Sequence, residues 1–297
     1  MSLIQNGKIF MIILNEIPAF AGMTVIAYSI LLFIIGLFFG SFLNVVADRL
    51  ACEQTLGGRS KCDTCKRQLS WIDLIPIISY ALLKGKCRYC QASISIQYPL
   101  TEIGTGVIFM LTWILSINAY PTASIWLHAT HIAIASFIFV IILSDLRYQI
   151  IPDEIHIALI ICGIVRFFLL NTDPQNGIFL QLFNFPLMQK LGMMFVGGMA
   201  VMLPLLLIFL ITKGNGMGFG DVKFSYIIGF ILGTKSGLIA LYIGFVIGGL
   251  IALILMLTKR AKLKTKIAFG PFLIFGFYIM IFFAKELYSV INSVYGF

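Results

Sequence analysis

Residues 125–153 read IWLHATHIAIASFIFVIILSDLRYQIIPD. From Ile125 to Leu143 the run is almost wholly apolar, and about 20 such residues are what a helix needs to cross a bilayer. It ends on Ser144-Asp145-Leu146-Arg147, followed by Ile151-Pro152-Asp153. A carboxylate at the margin of hydrocarbon is costly, which makes Asp145 a functional candidate. A second acid sits in a similar place: Asp221, in Gly216-Met217-Gly218-Phe219-Gly220-Asp221-Val222-Lys223, precedes another apolar run. Two carboxylates brought together can share one proton, the chemistry of aspartyl proteolysis.

The rest of the chain fits a membrane setting. It has 297 residues, 60% hydrophobic and 11% charged, with a mean hydropathy of +1.01. No soluble core can bury that much apolar surface, so the chain reads as an all-α polytopic membrane protein. Apolar runs fall at about Thr24–Ala47, Tyr98–Ala119, Ile125–Leu143, Ile155–Leu170, Leu191–Thr212, Phe224–Leu232, Gly237–Leu257 and Ile267–Ala284. These predict about eight transmembrane helices, the sixth being short for a span. The implied organisation is an N-terminal leader of uncertain role (1–22), a first transmembrane helix (23–47), a polar loop domain (48–97) and a seven-helix core (98–297). The leader has one lysine and a short apolar run without a clear cleavage site; Met11 and Met23 are alternative starts.

The net charge of +9 does not point to nucleic acid, because no surface interleaves bases with aromatics as single-strand binding needs. The basic residues cluster instead. Eight lie in the first polar loop (Arg49, Arg59, Lys61, Lys66, Arg67, Lys84, Lys86, Arg88) and five in Thr258–Lys266. The loop Asn118–Ser124 has no charge, and Asn171–Gln189 has only Asp173. The positive-inside rule places both basic loops in the cytoplasm and both termini outside. Counting spans then brings Asp145 and Asp221 to the same cytoplasmic face.

The polar loop carries Cys62-Asp63-Thr64-Cys65 and, after 21 intervening residues, Cys87-Arg88-Tyr89-Cys90. Paired knuckles of this kind offer four thiolates to a tetrahedral Zn²⁺. A cytoplasmic loop keeps thiols reduced, which argues against disulfides. The expected zinc is structural, since four protein ligands leave no open coordination position. Cys162 reads as a packed apolar residue; Cys52 has no assigned role.

Other polar residues have a plain reading beside a functional one. Asp153 suits an N-cap for the fourth span or support for the site. Lys223 either offsets charge near Asp221 or anchors its helix at the interface. Gly218 and Gly220 would let a substrate backbone approach Asp221. Pro152 fixes φ between the acids Asp145 and Asp153. Glu102 reads as a buried carboxylate that orients helices. His128 and His131 have ligand spacing, but they lie near the outer end with no carboxylate to complete a set. Gly36/Gly40, Gly229/Gly233 and Gly244/Gly248 read as helix-packing pairs. The glycine run 214–220 lacks the Lys-Ser/Thr ending of a phosphate loop.

Taken in order, several fragments resemble the prepilin peptidases, GxGD-type membrane aspartyl proteases of type IV pilus and type II secretion systems. They are Gly40-Ser41-Phe42-Leu43-Asn44 through Arg49-Leu50, Arg59-Ser60-x-Cys62, Trp71-x-Asp73-x-Ile75-Pro76, Gly85-Lys86-Cys87, Tyr98-Pro99-Leu100-x-Glu102, Asp145 with Ile151-Pro152-Asp153, and Gly218-x-Gly220-Asp221-x-Lys223. The resemblance covers roughly residues 36–285. Ala51 departs from it, standing where the family commonly has proline. The resemblance implies a multi-pass enzyme of the bacterial inner membrane whose partners are prepilin and pseudopilin substrates and the lipid bilayer. It would cleave a short basic leader at the cytoplasmic face, with Asp145 and Asp221 as the dyad. It would then N-methylate the new N-terminus with S-adenosylmethionine, whose site no motif marks. Two alternatives stay open: an intramembrane GxGD protease of other transmembrane substrates, and a proton- or cation-coupled transporter.

Overall fold

The computed structural model describes residues 19–172, 187–214, 216–259 and 268–295. The leader's first 18 residues, most of the basic loop after Thr258 and the loop holding Asp173 lie outside them. All eight apolar runs are carried by helices, and no β-strand occurs among the described residues. In chain order the elements are α1 (Ala19–Ala51), a 3₁₀ turn (Trp71–Leu74), α2 (Ile78–Leu82), α3 (Gln97–Ala119), α4 (Ile125–Tyr148), α5 (Asp153–Thr172), α6 (Leu187–Ile211), α7 (Phe219–Leu232), α8 (Thr234–Leu257), α9 (Gly270–Phe282) and α10 (Ala284–Tyr295).

Five helices (α1, α3, α4, α6 and α8) are long and apolar enough to cross a membrane, and the pair α9–α10 makes a sixth if counted together. α5 is long enough but carries Asp153, Glu154 and Arg166. α7 has 14 residues, about 21 Å at 1.5 Å per residue, short of the ~30 Å hydrocarbon core. The expected final run through Ala284 breaks instead at Phe283, where α10 turns off by 84°. α10 is amphipathic, with Lys285 and Glu286 in its first turn, which suits it to the membrane surface.

Two compact units make up the chain: one of residues up to Phe42 with Arg59–Ile114, the other of Leu43–Gly58 with Leu115–Phe297. In the first, α1 and α3 meet through glycine. A Cβ added at Gly36 would stand 2.7 Å from the Gly106 Cα, and one at Gly40 would stand 2.7 Å from the Glu102 Cα. Tyr28 packs on Trp113 and Phe39 on Phe109 beside this contact. The Glu102 carboxylate accepts the Ile77 N–H at 2.8 Å. Ile77 has φ 60, an uncommon conformation for a β-branched residue, and the bond helps hold it there.

In the second unit α4 is the most buried span, with 61% of its apolar window inside the protein against 22% for α8. α4 packs on α5 and α9, α6 lies along α7, and α8 lies along α9. Gly229 contributes to the α6–α7 contact, where a Cβ would collide with the Gly197 carbonyl oxygen. Toward the N-terminal end of α4, His128 and His131 each place Nδ1 2.7 Å from the Ser116 hydroxyl. Arg166 donates to His131 Nε2 at 3.2 Å and to the Tyr120 hydroxyl at 2.9 Å. The histidines therefore belong to a buried network that satisfies an intramembrane arginine.

Candidate active site and metal centre

The apolar run ending at Leu143 understates α4. The helix continues to Tyr148 and stops because Gln149 turns left-handed (φ 55), its N–H returning to the Asp145 carbonyl. Asp145 thus sits in the last turn, buried, while the next residue, Leu146, faces out. The apolar run likewise understates α7. Gly218 is extended (φ −70, ψ 144) and ends the preceding turn, so α7 begins at Phe219 and Asp221 lies in its first turn.

Both acids line one cavity of ≈ 450 Å³, with Leu50, Ala51, Glu53, Gln149, Ile150–Glu154, Gly218–Gly220 and Lys223 also in its wall. Asp145 Oδ2 accepts the Gly270 N–H at 3.0 Å in a buried contact. Asp221 differs: its Oδ1 is buried without a hydrogen-bond partner among the described residues.

The neighbours divide the expected roles. Gly218 is open, the nearest atom to an added Cβ being Asp221 Oδ2 at 3.7 Å, whereas a Cβ on Gly220 would press to 3.1 Å on the Ile151 Cβ. Gly218 therefore leaves room beside the acid, and Gly220 lets the first turn of α7 pack against the Ile151-Pro152 link. Lys223 donates to both oxygens of Asp153, at 2.6 and 2.8 Å. That pair joins the start of α5 to the first turn of α7, so the Asp153 carboxylate faces Lys223. Lys223 also stands 5.2 Å from the centre of the Phe219 ring.

Four residues to which sequence reasoning gave no role hold the end of α4. Arg147 donates to Asp48 Oδ1 at 2.8 Å and to Asn44 Oδ1 at 2.7 Å, and the Tyr148 hydroxyl donates to Asp48 at 3.0 Å. Asn44 is fully buried. The Gly-Ser-Phe-Leu-Asn fragment thus ends on a residue that steadies the turn carrying Asp145. Arg49 donates to the Leu56 and Gly57 carbonyls at 2.7 and 2.8 Å, closing the turn after α1. Ala51, where the family commonly has proline, is the last residue of α1 and lines the cavity.

In the other unit the four cysteines converge, their sulfurs all within 4.8 Å of one another. Cys62 and Cys90 are 3.8 Å apart, which matches the spacing of about 3.8 Å that ~2.3 Å Zn–S bonds give around a tetrahedron. The two knuckles are built alike. Cys62 and Cys87 take N–H bonds from Lys66 and Gln91 four residues on, and donate to the carbonyls of Arg67 and Ala92. Lys66 and Gln91 both have positive φ. Arg67 lies 4.3 Å over the Tyr89 ring, linking the knuckles. Backbone N–H groups of Cys65 and Thr64, with smaller help from neighbouring thiols, bring the Cys62 thiol down to about 6. That direction favours the thiolate, the form that binds a metal. Asp73 anchors the edge of this module. Burial pushes its carboxyl up, but Ser70 and Arg88 outweigh that and hold it below the usual range. Arg88 Nε reaches Asp73 at 2.7 Å. The donor set and spacing fit one metal ion.

Comparison with known proteins agrees with both regions. The model of the bacterial peptidase A24 N-terminal domain matches residues 34–116, which include the four cysteines. The type IV leader peptidase family model matches residues 132–253, which include Asp145 and Asp221. A prepilin leader peptidase/N-methyltransferase of Klebsiella pneumoniae is 30% identical over 231 residues, 74% of this chain and 92% of its own length. The chain belongs to the type IV leader peptidase family. Similar proteins of the same name occur in Bacillus subtilis (29% over 246 residues, covering 81% of this chain and 88% of that one) and Neisseria gonorrhoeae (28% over 285 residues, 87% and 92%). No solved structure matches significantly. Family membership makes the chain a multi-pass membrane enzyme and sets the transporter alternative aside.

Proposed function

We propose that this enzyme cleaves the leader peptides of type IV prepilins and pseudopilins at the cytoplasmic face of the bacterial inner membrane, using water activated by Asp145 and Asp221. The observation that carries the reading is the shared cavity: two acids 76 positions apart (221 minus 145) line one pocket in a chain of the leader peptidase family. Two interacting carboxylates hold one proton between them over a wide pH range. The ionised member takes a proton from water, and the protonated member polarises the scissile carbonyl. No protein nucleophile is needed. The cavity opens at the end of α4 and the start of α7, where a leader next to a membrane-embedded helix can present its peptide bond. The basic first loop supports a cytoplasmic location for that end, by the positive-inside rule.

Methyl transfer follows from the relatives' names. S-adenosylmethionine would supply an electrophilic methyl group to the amine that cleavage frees. Zn²⁺ would be held by Cys62, Cys65, Cys87 and Cys90, fixing the loop and taking no part in peptide hydrolysis. The test is cleavage of a purified prepilin by detergent-solubilised enzyme. Asp145→Asn and Asp221→Asn should each lose roughly 10²–10⁴-fold in rate, and wild-type turnover by either removes the dyad.

A further inference from the structure

The two acids do not sit in equivalent surroundings. Asp145 Oδ2 meets the N–H of Gly270 at 3.0 Å, and Gly270 is the first residue of the 13-residue helix α9. The first N–H groups of a helix have no partner inside it, and that end carries partial positive charge. Pro271 follows and offers no N–H. The approach is tight: a Cβ on Gly270 would lie 2.6 Å from Asp145 Oδ2 and 3.3 Å from its Cγ. Among the described residues no such donor reaches Asp221 Oδ1, which is buried and unpartnered. A lone buried oxygen of that kind is far cheaper to keep in a neutral carboxyl than in a carboxylate.

We propose that Gly270 is a positioning residue that orders the pair, its N–H holding Asp145 as the carboxylate and leaving the shared proton on Asp221. The inference rests on the dyad reading and adds the division of labour within it. Asp145 takes a proton from water as the water oxygen bonds to the scissile carbonyl carbon, and Asp221 gives its proton to the carbonyl oxygen. On collapse the C–N bond breaks. Asp145 passes its proton to the leaving nitrogen, and the hydroxyl derived from the carbonyl returns one to Asp221. Both carboxyls end as they began. Gly270 touches no substrate; its absent side chain lets the N–H reach Asp145.

The test uses the full chain in nanodiscs. Infrared difference spectra at neutral pH read the C=O band of a protonated carboxyl. The band should persist in Asp145→Asn and disappear in Asp221→Asn; the reverse order overturns the inference. This arm does not depend on a Gly270 variant folding. In cleavage kinetics Gly270→Ala should lower kcat by about 10- to 100-fold, the cost of misplacing a reacting group by about an ångström, with KM changed less than about two-fold. A folded Gly270→Ala enzyme with wild-type kcat also overturns it. If Asp145→Asn cleaves at the wild-type rate, the dyad itself fails. If both asparagine variants are inert but the band order is reversed, the dyad stands and this inference falls.

Discussion

The four cysteines lie between Cys62 and Cys90, each pair on its own knuckle, while the cavity takes Leu50 and Ala51 from the end of α1, Asp145 from α4, Asp153 from α5 and Asp221 from α7. In the cysteine module, spacing along the chain nearly sets spacing in space. A Cys-x-x-Cys turn closed by its own backbone bonds presents both sulfurs whatever the surrounding fold does. In the pocket, nothing local brings the acids together; only helix packing does. The first kind of site should depend on its ligands, the second on contacts that hold helix ends in register.

That contrast can be broken from either side. The largest effect is expected for Cys87→Ser combined with Cys90→Ser. Metal binding in such modules is worth roughly 10–16 kcal/mol, so zinc per chain, read by mass spectrometry, should fall from about one to about none. The loop should then become sensitive to protease. Unchanged zinc content would remove the four-thiolate site. Next, Arg147→Ala leaves Asp48 and the buried Asn44 without their shared charged donor. A loss of about 3 kcal/mol, from charge-assisted bonds worth ~1.5–3 each, should appear as a lower melting temperature with zinc retained. Gly220→Ala forces a Cβ against Ile151 and should cost roughly 2 kcal/mol by overpacking, again without touching the metal. The smallest change is expected for Lys223→Ala. Its bridge to Asp153 is exposed, and such pairs contribute less than about 1 kcal/mol. A large melting shift there would mean that the bridge holds the pocket shut.

The same contrast explains what could be read from the chain. Eight apolar runs were enough for an all-α membrane fold, and the cysteine spacing was enough for a four-thiol cluster that could hold a metal ion. Placing Asp145 and Asp221 on one face followed from counting spans and basic loops. Helix limits were harder. Asp145 and Asp221 belong inside helical turns whose polar residues end the apolar run early, and Phe283 breaks a run that looks continuous in hydropathy alone. The roles of Arg147, Asn44, Asp48 and Gly270 went unread because they lie in partners distant along the chain. Asn44 and Arg147 are 103 positions apart and Gly270 is 125 from Asp145. Gly270 in particular looks like an ordinary helix-start glycine before proline. The role of Glu102 was readable as a type, a buried hydrogen-bonding carboxylate, but its partner Ile77 depends on a backbone conformation that composition does not announce.

The central claim is that Asp145 and Asp221 act as one proton-sharing pair. The most direct measurement is single-turnover cleavage of a purified prepilin by wild type, Asp145→Asn, Asp221→Asn and the double variant, each matched for zinc content. As a unit, either single change should remove nearly all the rate, with the double variant about as slow as the slower single one. Single variants that each keep substantial rate, with losses that multiply in the double variant, would contradict it.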